Sequence, residues 1–363
     1  MSENKIYNRI VTVGFALLIG GFFLLHLMMP DRTFSPEENR ALQQVPQLSL
    51  STVASGSFMS NVERYVNDQF PFRSLWIGGK AQLERLVGKQ ENNGIYFAGE
   101  GLIARYDRPD EALVSQNLDY AVSFAARMEA QGVETYLSLI PNAAFMLRTE
   151  LPEGAPGGDQ YRVMRALSED GHYYSTNGAL TLHKEEAIYY RTDHHWTSLG
   201  AYYGYEALMG ALGMAAVPLS AYEPVVVSED FYGTSHAKAA ANWIEPDVMS
   251  YYVPEEFVGQ LYHPEALDTR DKYAFFLGGN EALRVVETKQ EDKPKLLLLR
   301  DSHADAMTPF LIPHFSEIHL IDLRYYKQSI PAYVAAEGID AVVVLYGVSN
   351  FTADTNLYLL SLD

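Results

Sequence analysis

The stretch Lys295-Leu296-Leu297-Leu298-Leu299-Arg300-Asp301-Ser302-His303-Ala304-Asp305 decides the fold. Four consecutive leucines suit a strand buried on both faces, which belongs in a parallel sheet covered by helices on either side. Asp301-Ser302 then turns the chain into a helix that runs to about Leu311. Beyond it, Ile318 to Ile321 and Ala341 to Tyr346 read as two further apolar strands, with a short helix from Ile330 to Glu337 between them. Upstream, the amphipathic run Glu111 to Gln131 feeds the strand Val133 to Ile140, which stops at Pro141-Asn142. Short apolar strands alternating with helices predict an α/β fold, a parallel sheet sandwiched by helices. Sites in such sheets lie beyond the carboxyl ends of the strands. Pro141-Asn142, Asp301-Ser302 and the run from Tyr346 to Asn350 all fall there.

A serine at a strand-to-helix turn presents its hydroxyl from the sheet edge, where N–H groups of the helix start can hold an oxyanion. The plainer reading makes Asp301 or Ser302 only the helix N-cap. A second motif, Tyr190-Arg191-Thr192-Asp193-His194-His195-Trp196-Thr197-Ser198, precedes a helix that begins near Thr197. Two histidines beside an aspartate suit a metal site, or a base with its orienting carboxylate, or a solvated polar turn. His303 could join His194 and His195 around zinc, which wants three protein ligands and a water. Together the two motifs supply Ser, His and Asp at one sheet edge, the parts of an acyl-transfer triad.

The N-terminus sets the address. Ile10 to Met29 is a 20-residue apolar run preceded by Lys5 and Arg9 and ended by Pro30-Asp31. That length suits a bilayer span, and the charge bias puts the rest of the chain outside the cell. The run is longer than the apolar part of a cleaved signal peptide, and Leu27-Met28-Met29-Pro30 is a poor cleavage site, so an uncleaved anchor is expected. Ser35-Pro36-Glu37-Glu38-Asn39-Arg40 carries a helix-start signal, Val62 to Leu86 reads as two helices broken near Pro71, and Asn93-Gly94 as a turn before a strand. The expected organisation is an anchor over 1–30, a helical juxtamembrane arm over 31–105 and an α/β domain over 106–363, with an insertion at about 150–290. That insertion holds 14 of the 25 tyrosines, some of which could stack on sugar rings. The net charge of −19 and the lack of a basic patch argue against nucleic acid, and the absence of cysteine excludes disulfides and thiolate chemistry.

Read together, these segments resemble the DHHW family of bacterial cell-surface proteins, which is similar to the SGNH/GDSL hydrolase-like proteins that O-acetylate alginate and other exopolysaccharides. The resemblance rests on Phe34 to Arg40, on Asp68-Gln69-Phe70-Pro71-Phe72-Arg73, on Arg191 to Trp196, on Asp301-Ser302 and on Ile321-Asp322-Leu323-Arg324-Tyr325-Tyr326. It implies an SGNH-like fold and a triad of Ser302, His195 and Asp193, with Trp196 packing the loop. It also implies an acyl donor, a polysaccharide acceptor, no cofactor, and a membrane-bound O-acyltransferase as partner.

One departure is plain: Arg300 stands where the superfamily block has glycine, and the superfamily's oxyanion blocks are not evident. Asn142, Tyr346 and Asn350 are oxyanion candidates by position. Arg191 is a candidate for an acidic sugar or for pairing with Glu185, and His194 for a supporting role. His303, at the helix start, is expected to point away, and Asn39 and Arg40 to tie the arm to the domain. A non-catalytic carbohydrate-binding or adaptor protein is the alternative function, and a metal phosphoesterase a further one.

Overall fold

The computed structural model describes residues 3–35, 38, 40–156, 159–253 and 261–362. The chain divides into two units, Met1–Lys89 with Ala240–Trp243, and Gln90–Ala239 with Ile244–Asp363. Residues 90–105, read from sequence as part of the arm, lie in the second unit. The reason is local: Leu102 N–H donates to the Arg191 carbonyl at 2.7 Å, which ties this segment to the site loop.

The first unit begins with helix α1, Glu3–Met28. Its segment Lys5–Met28 is long and apolar enough to cross a membrane. Phe34–Ser35 (β1) pairs antiparallel with Arg40–Ala41 (β2). This ribbon replaces the helix expected to start at Ser35; Pro36, Glu37 and Asn39 of that signal lie outside the described residues. Helices α2 (Leu50–Ala54), α3 (Ser57–Asp68) and α4 (Arg73–Leu86) follow. Arg40 grips both oxygens of Asp68 at 3.0 and 2.6 Å, and Glu38 bridges Arg40 (2.9 Å) and Arg73 (2.8 Å). Gln69 donates to the Arg32 and Gln43 carbonyls at 2.9 and 3.0 Å. The two arm motifs quoted above therefore clasp each other, and Arg40 ties the arm to itself rather than to the domain.

The second unit opens with a three-stranded antiparallel sheet, β3 (Glu91–Asn92), β4 (Ile95–Ala98) and β5 (Gly101–Ala104). Asn93 and Gly94 form its first turn, both with positive φ (50° and 78°), the conformation an Asn-Gly pair favours in a two-residue hairpin. Next come α5 (Glu111–Ala130), β6 (Glu134–Ile140), α6 (Ala143–Met146), α7 (Gln160–Ser168), α8 (Thr176–Leu182) and α9 (Ser198–Ala211). A β-ribbon of β7 (Val225–Phe231) and β8 (Asp247–Tyr251) brackets α10 (Thr234–Ala239). The chain closes with β9 (Leu283–Glu287), β10 (Lys295–Arg300), α11 (His303–Leu311), β11 (Glu317–Ile321), α12 (Ile330–Glu337), β12 (Ala341–Gly347) and α13 (Val348–Ala353).

The central sheet runs β6-β12-β10-β11-β9. The first four strands are parallel, and β9 is an antiparallel edge. Alternation along β10 distributes the leucines: Leu296 and Leu298 pack with Tyr202, Leu208 and Phe310 of α9 and α11. Leu297 and Leu299 pack with Phe124 and Met128 of α5 and with Ile330 and Val334 of α12. Both faces are thus buried, the condition that made the leucine run legible. The aromatic insertion is mostly core: of the tyrosines between 161 and 273, Tyr174, Tyr189, Tyr190, Tyr202, Tyr203, Tyr205, Tyr262 and Tyr273 are buried, and only Tyr161 is exposed.

Candidate active site

The site forms where β10 ends. Ser302 occupies the N-cap position of α11 in ordinary helical backbone (φ −63°, ψ −12°), yet its side chain makes no cap bond. Asp301 does that work: its Oδ1 accepts the His303 N–H at 3.0 Å, and its Oδ2 accepts from Gly347 N (2.8 Å) and Asn350 Nδ2 (2.7 Å). One buried carboxylate thereby fixes the start of α11 against the end of β12 and leaves the Ser302 hydroxyl available.

That hydroxyl lies 2.8 Å from His195 Nε2, and His195 Nδ1 lies 2.5 Å from Asp193 Oδ1. Asp193 and His195 stand two apart in a tight loop, so one carboxylate oxygen takes both the ring and the backbone N–H of His195 (3.0 Å). The other oxygen accepts from Thr234 N (2.7 Å) and Thr234 Oγ1 (3.0 Å) at the start of α10. Burial pushes the Asp193 carboxyl up, but the His194 and His195 rings and the Thr234 N–H outweigh it and hold the group well below the usual carboxylate range. An ionised Asp193 makes Nδ1 the donor, so Nε2 accepts from the serine hydroxyl.

Several packing features fix this loop. Trp196 is fully buried and donates from Nε1 to the His303 carbonyl at 2.8 Å, crossing from the motif loop to α11. Glycine at position 204 gives it room, since a Cβ there would sit 2.7 Å from the indole. Thr192 donates its backbone N–H to Asp247 (2.8 Å) and its hydroxyl to the Phe231 carbonyl (3.1 Å), binding the loop to both strands of the β7–β8 ribbon. Gly233 backs Asp193 so closely that a Cβ would meet its carboxylate at 2.3 Å. Thr197 caps α9 through Gly200 N at 3.2 Å, as the sequence suggested.

Three groups escaped sequence reading. Tyr273 stacks on the His195 ring at 3.8 Å and 4°, and its hydroxyl donates to the Ser302 carbonyl at 3.3 Å. Its signal was lost among the many tyrosines around it. Thr234 and Gly233 lie 40 residues away in sequence, in a turn with no periodic pattern. His303 corrects an expectation: it is buried, its ring 4.9 Å from that of His195, with Nδ1 donating to Asp301 at 3.0 Å. Burial lowers the His303 pKa, but the Asp301 charge and hydrogen bond raise it overall. The backbone explains the orientation, because Asp301-Ser302-His303 repeats the bonding of Asp193-His194-His195, with each histidine folding back on the aspartate two residues before it.

The remaining candidates spread out. His194 donates to or accepts from Thr234 Oγ1 at 2.7 Å and lies 3.9 Å, ring to ring, from His195. Burial and the His195 charge push its pKa down, tempered by a side chain still 37% exposed. Asn350 is near the site and gives one N–H of its amide to Asp301 at 2.7 Å. Asn142 caps α6 and donates to Ser349 Oγ at 3.1 Å. Tyr346 faces the buried core shared with α5 rather than the site. Arg191 packs on the ribbon, 3.5 Å from Asp247 and donating to the Pro246 carbonyl at 2.7 Å; its nearest acids are Asp247 and Glu100, not Glu185. Arg300 is buried under the site, 2.7 Å from Asp305. Its long side chain runs into the core, so the position accepts arginine where a tight turn would have wanted glycine.

Ligand atoms of Asp193, His194 and His195 lie within 4.8 Å of one another, close enough for a metal ion. In this arrangement, however, both ring nitrogens of His195 are engaged, one by Asp193 and one by Ser302. The donor set fits a hydrogen-bonded relay better than a coordination sphere.

A family model described as DHHW protein matches residues 165–321, which include both motifs of the site. Among solved structures, a DHHW family protein from Eubacterium siraeum DSM 15702 is 24% identical, with a TM-score of 0.63, covering 75% of this chain and 96% of its own. Bacillus cereus PatB1 is 19% identical, with a TM-score of 0.61, covering 72% of this chain and 97% of its own. A form of PatB1 with a sulfonyl adduct aligns with a TM-score of 0.58, at 19% identity over 72% of this chain and 98% of its own. These likenesses are of fold. No curated protein matches the chain.

Proposed function

We propose, from the match of residues 165–321 to a DHHW family model, that this protein is a membrane-anchored, extracytoplasmic O-acetyltransferase of a cell-surface polysaccharide. The observation that carries the reading is the unbroken relay from Ser302 Oγ to His195 Nε2 (2.8 Å) and from His195 Nδ1 to Asp193 (2.5 Å).

In this reading His195 takes the Ser302 proton as the oxygen attacks the acyl carbon of a donor. Asp193 holds the imidazole tautomer and stabilises the imidazolium. The Ser302 backbone N–H has no partner among the described residues and supplies one donor to the tetrahedral oxyanion. Collapse leaves the acetyl group on Ser302, and His195 returns the proton to the departing group. A sugar hydroxyl then gives its proton to His195 and attacks the acetyl-serine, which restores the enzyme. Water in place of the sugar would make the same site an acetylesterase. Tyr273, flat against His195, excludes water from one face of the ring and limits its rotation.

The apolar helix α1 is read as an uncleaved signal anchor, with Lys5 and Arg9 on the cytoplasmic side. The acyl donor in this arrangement is a membrane-bound O-acyltransferase that passes acetyl groups outward.

Hydrolysis of p-nitrophenyl acetate, followed by acetyl transfer to oligosaccharide acceptors, tests the reading. Ser302→Ala should lose on the order of 10³-fold or more in kcat/KM. Equal rates for the two proteins, or no activity in either, would favour a non-catalytic carbohydrate-binding or adaptor role.

A further inference from the structure

Helix α4 carries an apolar face that is largely exposed among the described residues. On a helical projection of 100° per residue, Phe72, Leu75, Trp76, Gly79, Leu83, Leu86 and Val87 fall within an arc of about 120°. The six side chains among them are 52–85% exposed. The charged residues Arg73, Lys80, Glu84 and Arg85 lie outside that arc and have partners. Arg73 pairs with Glu38 and Glu84 with Lys89, and Arg85 stacks over Trp243 at 4.9 Å. Gly78 and Ala81, on the opposite side, are buried.

The apolar stripe is continuous with α1. Phe22 stacks on Phe70 at 5.4 Å and meets Trp76 edge-on at 5.8 Å. Phe22 lies six residues before the end of the span at Met28, which puts it about 9 Å inside that end. Side chains that touch Phe22 therefore share the depth of the outer acyl chains when α1 crosses a bilayer. Between α1 and α3, Leu18, Ile19, Phe22, Phe23, His26, Leu27, Val66 and Phe70 line an apolar groove of about 460 Å³. The Trp76 indole spends its N–H on the Pro71 carbonyl at 3.2 Å and leaves its apolar faces outward.

We infer that α4 lies in the membrane interface, its apolar stripe immersed in the outer leaflet and the α1–α3 groove filled by lipid acyl chain. The inference rests on reading α1 as a membrane span. An interfacial helix of this kind buries its apolar face roughly 5–10 Å below the headgroups and keeps its charges in water. Tryptophan is enriched at that level. Lipid is favoured over a second copy or a partner helix because the stripe begins on residues that contact the span itself.

The test uses the full chain in phosphatidylcholine–phosphatidylglycerol vesicles. Because the protein has no cysteine, single variants Leu83→Cys, Leu75→Cys, Glu84→Cys and Leu17→Cys each accept one environment-sensitive fluorophore. Circular dichroism checks that each retains its helices, and the two stripe positions guard against one misfolding. Spin-labelled lipids with shallow and deep nitroxides then act as quenchers. Leu83 and Leu75 probes should be blue-shifted and quenched more strongly by the shallow nitroxide than by the deep one. The Leu17 probe should respond to the deep one, and the Glu84 probe to neither. A quenched Leu17 probe with stripe probes left in water overturns the inference while the anchor stands. Stripe probes that are blue-shifted but unquenched also overturn it, because protein and not lipid then covers the stripe. An unquenched Leu17 probe removes the span and the inference with it.

Discussion

At the scale of single residues, the site depends on one carboxylate held in one orientation. Asp193 spends Oδ1 on His195 and Oδ2 on Thr234. Asp193→Asn keeps the shape but offers an amide where the ring N–H must donate, which favours the wrong imidazole tautomer. A fall in kcat on the order of 10³–10⁴ is expected, with KM little changed, measured as hydrolysis of p-nitrophenyl acetate. Asp193, His195, Trp196 and Ser302 were all legible, because two short motifs hold them and the resemblance assigns their roles. Tyr273 was not, since stacking on the His195 ring leaves no trace in local sequence. His303 was misread because position at a helix start says where the backbone goes, while the Asp301 carboxylate decides where the ring goes.

At the scale of elements, the turn before α10 supports Asp193 from behind. Gly233→Ala would bring a Cβ to 2.3 Å from that carboxylate. Something must shift, and because the Asp193 Cβ would lie as close as its carboxylate oxygen, the whole Asp193 side chain is displaced. The expected outcome is a loss of activity approaching that of Asp193→Asn, with circular dichroism unchanged. Activity above half of wild type would show that the carboxylate tolerates displacement. The β1–β2 ribbon and α3 pose a separate question of stability. Arg40 hydrogen bonds, set against partial burial and aided by Gln43, hold the Asp68 carboxyl down at about 2. A folded pKa below the usual 3.9 means that the stability it contributes is present above about pH 4 and is lost as the pH falls toward 2. Asp68→Asn should therefore cost about 1–2 kcal/mol at neutral pH, after allowance for screening at the half-exposed Arg40. The gap in thermal midpoint from wild type should close between pH 4 and 2. The strands β10 and β12 announced themselves by unbroken apolar runs, and β6 and β11 by short, mostly apolar ones. The edge strand β9 did not, because Leu283-Arg284-Val285-Val286-Glu287 is short and half-exposed and carries charges. The ribbon at Phe34 was hidden behind a sequence that also suits a helix start.

At the scale of the whole molecule, an acidic chain with net charge −19 carries, among the described residues, one helix fit to cross a bilayer. If that helix is an uncleaved anchor, full-length protein should stay with the membrane fraction through high salt and alkaline carbonate. Release of a shorter form starting beyond Met29 would identify a signal peptide instead. Hydropathy and motif order suggested an anchor, an arm and an α/β unit, while the boundary near Lys89 between the two units was not legible, since hydrogen bonding of Leu102 to the site loop sets it. The central claim concerns the hydroxyl at position 302, and covalent labelling of the full-length protein tests it most directly. A phenylmethanesulfonyl fluoride adduct mapped by peptide mass spectrometry should fall on Ser302 in wild type and be lost in His195→Ala. Labelling of another residue, or equal labelling without His195, would contradict a nucleophile activated by that imidazole.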